Sequence, residues 1–156
     1  MTVYFADEQT VEVDGDDLLG LARHVLAEQQ VPDDMEVSVL LVDEDAIAAL
    51  NEQHMGKTGP TDVLAFPIDM PGEVSDGAPA ILGDVVLCPA VSAAQAPDFG
   101  RSAHQEHRLL VAHGLLHLLG MDHATKEEER EMFSRTDELL ASYVPGETAQ
   151  PGVADE

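Results

Sequence analysis

Residues 102–120 read SAHQEHRLLVAHGLLHLLG, and the stretch carries a full set of helix marks. Ser102 with Gln105 fits a capping box, in which each side chain satisfies a backbone N–H that the first helical turn leaves without a partner. Gly120 stands where a left-handed C-terminal stop belongs, since glycine enters that conformation without steric cost. The second half is apolar nearly all round, which predicts the central buried helix of the fold. That helix carries His113 and His117, and the chain continues through Met121 and Asp122 to His123.

Residues four apart on a helix project from the same face one turn up, so His113 and His117 are neighbours. A reversal at Gly120 brings His123 back toward them. Three neutral imidazoles suit one Zn2+ with nitrogen ligands at about 2.0–2.1 Å, and three protein ligands leave a fourth tetrahedral position open, the mark of a catalytic site. The competing reading is a cluster of core histidines. It is the weaker one, because each unsatisfied buried group costs ~1–3 kcal/mol and a shared cation satisfies all three rings together. The lone cysteine, Cys88, excludes an internal disulfide and a Cys-rich zinc knuckle. It reads as a small buried residue, with a fourth-ligand role as the alternative. The spacing H-x3-H-x2-G-x2-H also belongs to the metzincin proteases, which use a Glu directly after the first His as general base. Here that position is Gly114, which cannot accept a proton.

Around this helix the hydrophobic pattern predicts strands at 3–6, 35–43, 61–67 and 81–89. It predicts helices at 14–30 (buried stripe Leu18, Leu21, Ala22, Val25, Leu26) and at 43–54 (Ile47, Leu50 and His54 inward). A last helix starts at a Thr125/Glu128 capping box, with Met132 and Phe133 in the core. The rhythm is not strictly βαβ, so the fold class is α+β: a small mixed sheet of about four strands packed with helices. Residues 1–144 read as a single metal-dependent hydrolase domain. The segment 70–80 reads as a surface turn or mobile loop, and 145–156 as a disordered C-terminal tail.

The 31 acidic residues against 7 basic ones give a net charge of −24, which argues against the broad basic face of a typical nucleic-acid binder. No DNA is expected. The N-terminal residues lack the basic start and apolar core of a signal peptide and no run is long enough to span a bilayer, so a cytoplasmic protein without a membrane partner is expected. Asp122 reads equally as support for a ligand imidazole or as a turn stabiliser. Asp62 and Asp84 read as caps or as supports for the metal site, and His104 and His107 as solvated or locally hydrogen-bonded.

HGLLHLLGMDH (113–123) matches the H-G-x-L-H-L-x-G-x-D-H motif of the YbeY family, bacterial metal-dependent endoribonucleases that mature ribosomal RNA. GPTDVLAFP (59–67) resembles that family's P-T-D-V-L-S-F strand, and LGDVVLCP (82–89) its L-G-D-I segment. The resemblance runs in order over most of residues 1–143. It implies that His113, His117 and His123 are the catalytic residues and hold one metal ion per chain, usually zinc. It also implies cleavage of single-stranded RNA in 16S rRNA 3′-end maturation, ribosome biogenesis and ribosome quality control, with a ribosomal or ribosome-associated partner. Two departures stand out. Many members carry an arginine, in N-x-x-Y-R, where this chain has Met55 after Asn51 and His54, and the usual strand serine is Ala65. Arginine clamps phosphate bidentately and methionine cannot, so Lys57 is the nearby substitute, with Arg101 and Arg108 as further candidates for phosphate contact. Two other readings stay open: a metzincin-like protease that takes its base from elsewhere, and a non-catalytic ribosome assembly factor with a metal-stabilised fold.

Overall fold

The computed structural model describes residues 1–72 and 80–145. Most of the 70–80 loop and the residues after Pro145, expected above as a mobile loop and a disordered tail, lie outside the described residues. Four strands, β1 (Thr2–Glu8), β2 (Met35–Val42), β3 (Val63–Pro67) and β4 (Ala80–Leu87), form one sheet in the order β1-β2-β4-β3. β1, β2 and β4 are parallel, and β3 closes one edge antiparallel to β4. This is the expected mixed sheet of an α+β fold.

The alternation along each strand sorts the side chains onto two faces. Val37, Val39 and Leu41 of β2, with Val85 and Leu87 of β4, face a core built from α1 (Gly15–Glu28), α4 (Ala103–Leu118) and α5 (Lys126–Ser142). Leu40, Val42, Leu64, Phe66, Val86 and Cys88 pack on the opposite side with Ile47 of α2 (Glu44–Met55). Covered on both faces, β2 and β4 read as nearly continuous apolar runs. Two residues lie elsewhere than the pattern predicts. His54 is exposed at the end of α2, with its ring edge against Phe66. Phe133 is 45% exposed, because Met132, Thr136 and Leu139 already form the buried stripe of α5 and Phe133 sits one step round the helix.

One helix escaped the pattern altogether. After Cys88 the chain does not continue as strand but enters α3 (Pro89–Gln95) and a single 3-10 turn, Ala96–Phe99. Proline at the first helical position was the available signal, since its fixed φ suits a helix start.

α4 runs across the sheet as the buried centre. Its capping box forms as read, with the Ser102 hydroxyl accepting from Gln105 N–H and the Gln105 side chain accepting from Ser102 N–H. Its end is a Schellman turn: Met121 N–H donates to Leu116 O at 3.1 Å, Gly120 N–H to His117 O at 3.0 Å, and Gly120 takes φ +94°. The N-terminal half of α4 is tied to α1 through Asp17, which is 8% exposed. Arg108 forks onto both Asp17 oxygens at 2.7 and 2.8 Å, and His104 Nε2 meets Oδ2 at 2.5 Å. Tyr143 O–H donates to the Asp17 carbonyl, and the Arg108 guanidinium lies over the Tyr143 ring. His104 is therefore bonded across 87 residues and not locally. His107, 2% exposed, meets the Ser92 hydroxyl on α3 at 2.8 Å through Nδ1, and is not solvated.

Burial pushes the Asp17 carboxyl up, but the hydrogen bonds and charges of Arg108 and His104 outweigh it and leave its pKa below the ordinary value. A carboxylate with a depressed folded-state pKa stabilises the fold fully above its unfolded pKa and loses that contribution as pH falls through the folded one. Asp17→Asn is expected to cost about 2 kcal/mol at neutral pH, the scale of a charge-assisted hydrogen bond lost in a partly buried setting. Urea melts of both proteins check this, and the difference between them should shrink as pH falls below the carboxylate range.

Candidate metal centre

The local physics of α4 places the three histidines. His113 and His117 lie one turn apart on its half-buried side, and the glycine reversal returns His123 to them. One ring nitrogen from each falls within 4.8 Å of those of the other two. The ring centroids are 4.9 Å apart for His113 and His117, 5.1 Å for His117 and His123, and 5.8 Å for His113 and His123. Among the described residues no other His, Cys, Asp or Glu joins the group.

Burial disfavours the charged form of two of the rings. Burial, with the neighbouring His117 and His123, pulls the His113 pKa down to about 4, although the Asp62 charge opposes the shift. Burial and His123 lower the His117 pKa too, against Asp122 and a backbone contact with Met121. An imidazole must be unprotonated to bind a cation, so both shifts favour the metal-binding form of His113 and His117. All three donors are nitrogens with an open side toward a cleft, a set that zinc fits well.

The cleft holds about 490 Å³ and runs between α4, the open edge of β3 and the end of α2. Beside the histidines it is lined by Asn51, Met55, Lys57, Asp62 and Ala65. Lys57 is thus where the sequence put it. Arg101 and Arg108 are not among the lining residues: Arg101 is bonded to Glu106 at 2.6 Å and Arg108 to Asp17, so neither is the phosphate contact expected from the sequence. Cys88 is fully buried on the α2 side of the sheet, where burial pushes its thiol pKa up, which removes it as a fourth ligand. Asp84 lies mid-strand opposite Phe66 and does not line the cleft. The exposed Asp122 accepts from the His123 backbone N–H at 2.7 Å, the turn-stabilising half of its two readings.

Gly114 shows why this helix differs from that of a metalloprotease. A Cβ at this position would lie 2.8 Å from Val85 Cγ1 and 3.3 Å from Cγ2, inside contact distance. The residue after the first histidine is buried where α4 packs against Val85 of β4 and Val63 of β3. A side chain there could not be accommodated without displacing Val85.

The family profile for "Endoribonuclease YbeY" matches residues 4–144. The chain belongs to the YbeY endoribonuclease family. Among its YbeY relatives, the endoribonuclease of Salinispora tropica is 52% identical, over 92% of this chain and 96% of that one. The Acidothermus cellulolyticus protein is 50% identical, over 92% of each chain. The solution structure of a Thermotoga maritima protein superposes with a TM-score of 0.59 at 29% identity, over 97% of this chain and 99% of that one. The YbeY fold assignment, read above from three short segments, thus holds across nearly the whole chain.

Sequence reasoning missed Gln95. It sits on α3, the unforeseen helix, and its side chain reaches Asp62 at the cleft. No periodicity could have signalled a contact made across 33 residues between side chains on separate elements.

Proposed function

We propose that this protein is a zinc-dependent endoribonuclease specific for single-stranded RNA. It acts in the cytoplasm in 16S rRNA 3′-end maturation, ribosome biogenesis and ribosome quality control. The observation that carries the reading is the convergence of three imidazoles at the wall of an open cleft that also holds a lysine. His113, His117 and His123 would hold one zinc ion, and they are the residues assigned to catalysis. Bound there, zinc supplies Lewis acidity to phosphoryl oxygens and activation of water near neutral pH.

The chain's own groups do the rest. Lys57 lines the cleft beside the histidines, and its ammonium would take a phosphate oxygen where Met55 cannot. Lys57→Ala is expected to lower kcat/KM about tenfold, the scale of one charge-assisted hydrogen bond to phosphate. Steady-state cleavage of a labelled single-stranded RNA checks it. With a net charge of −24, binding to naked RNA should be modest and its salt dependence shallow, so a ribosomal or ribosome-associated partner presents the strand.

The test is cleavage of single-stranded and duplex RNA by protein of measured zinc content, with and without chelator. A parallel preparation carrying His117→Ala controls for contaminating ribonuclease. Zinc-dependent cutting of the single strand alone is expected. Cutting that survives chelator, or that the His117→Ala preparation shares, would sink the reading. Among the described residues no helix is long and apolar enough to cross a membrane.

A further inference from the structure

Asp62 lines the cleft beside His113, and its charge reaches that ring. Its carboxylate is gripped from within the protein. Oδ1 accepts from Val63 N–H at 2.7 Å and, more weakly, from the Thr61 hydroxyl at 3.4 Å, while Oδ2 accepts from Gln95 Nε2 at 2.8 Å. The same Nε2 donates to Glu106 Oε2 at 2.8 Å, and Glu106 receives Arg101 Nε on its other oxygen at 2.6 Å. Glu106 is 1% exposed, so this is a chain of polar groups running from the cleft into the interior and out to Arg101.

The chemistry of an amide fixes the order of atoms. A Gln95 turned the other way would set its oxygen against two carboxylates, acceptor against acceptor. Both amide protons are therefore committed, one to each acid, and the side chain has a single acceptable orientation. Glu106 and Arg101 hold Gln95, and Gln95 holds Asp62. A carboxylate has about four acceptor positions, and the protein fills three of them at Asp62. The remaining capacity is offered to whatever enters the cleft. Capping Val63 N–H needs only Oδ1; the second anchor on Oδ2 serves to fix the direction of the group.

We propose that Gln95 is a positioning residue that holds the Asp62 carboxylate as a hydrogen-bond acceptor for the attacking hydroxyl, whether of water or of the ribose 2′ position, in RNA cleavage. The inference rests on the endoribonuclease reading and adds two residues to it. Asp62 touches the substrate or the water; Gln95 acts only through Asp62.

A double-mutant cycle tests it. Zinc-loaded wild type, Gln95→Met, Gln95→Ala, Asp62→Ala and the double Asp62→Ala/Gln95→Met are compared on one single-stranded RNA. Zinc affinity is read by competition with a chromogenic chelator, and folding by circular dichroism. Gln95→Met, close in shape but without donors, should lower kcat on the order of tenfold, with KM, zinc affinity and fold unchanged. Asp62→Ala should lose more, and the double variant should be no slower than Asp62→Ala, because a residue that acts through another has nothing left to position. The proposal is overturned if Gln95→Met cuts like wild type, if the two losses multiply, if zinc affinity drops together with kcat, or if both Gln95 variants fail to fold. A wild type that binds zinc and cuts no RNA removes the endoribonuclease reading and this inference with it. An active wild type matched by Gln95→Met removes this inference alone.

Discussion

Gly114→Glu is expected to wreck the fold and to confer no protease activity. The change restores the general base of the metzincin pattern on paper, yet the added Cβ alone would sit 2.8 Å from Val85, which is fully buried in the middle of β4. Overpacking of a tight core costs roughly 1–3 kcal/mol, and crowding a carboxylate against this buried backbone adds to it. A loss of at least about 3 kcal/mol follows, which for a chain of this size lowers Tm by roughly 10 °C. Gly114→Ala should lose less, about 1 kcal/mol, since alanine's better helix propensity offsets part of the clash. Thermal melts of the two variants, with a casein assay on any folded Gly114→Glu, check both halves. A stable Gly114→Glu would show that α4 rides further from the sheet than described.

The second large effect is on chemistry and not on stability. His113→Ala is expected to remove zinc binding and RNA cleavage together while the chain remains folded. His113 is only half buried, and the core that α4 forms with the sheet is built from other residues, so its loss leaves that core intact. Two imidazoles remain, and tetrahedral zinc with two protein nitrogens is bound far more weakly than with three. Far-UV circular dichroism, zinc content and RNA cleavage on one preparation separate the outcomes. A folded, zinc-free protein that still cuts would show that the three histidines are not the catalytic centre. A zinc-free protein that unfolds would favour the assembly-factor reading, in which the ion only stabilises the fold.

Much of this was legible from residues alone, for definite reasons. The two capping boxes and the Gly120 stop are local codes, each settled within a few residues, and they fixed both ends of α4 and the start of α5. The histidine spacing is local too: a helix turn plus a glycine reversal leaves His123 few places to go. What failed was read from apolarity without its partner. Phe133 is greasy but stands off the buried stripe of α5, 5.8 Å from the His113 ring, and its exposure is a matter of helix phase. The segment after Cys88 reads equally as strand or helix over seven residues, and only packing against α4 decides it. The polar links Asp17–Arg108 and Asp62–Gln95 span 91 and 33 residues, and no pattern in sequence records which acid meets which donor. The same blindness made Arg101 and Arg108 look like free phosphate-binding cations when both are committed to buried acids.

The convergence of His113, His117 and His123 on one divalent ion is tested most directly by zinc K-edge absorption on the purified full-length chain, together with its metal stoichiometry. One zinc per chain is expected, with nitrogen and oxygen neighbours at about 2.0–2.1 Å, an imidazole scattering pattern for three rings and no sulfur. A sulfur shell near 2.3 Å, or no zinc retained by a folded protein, would contradict the account.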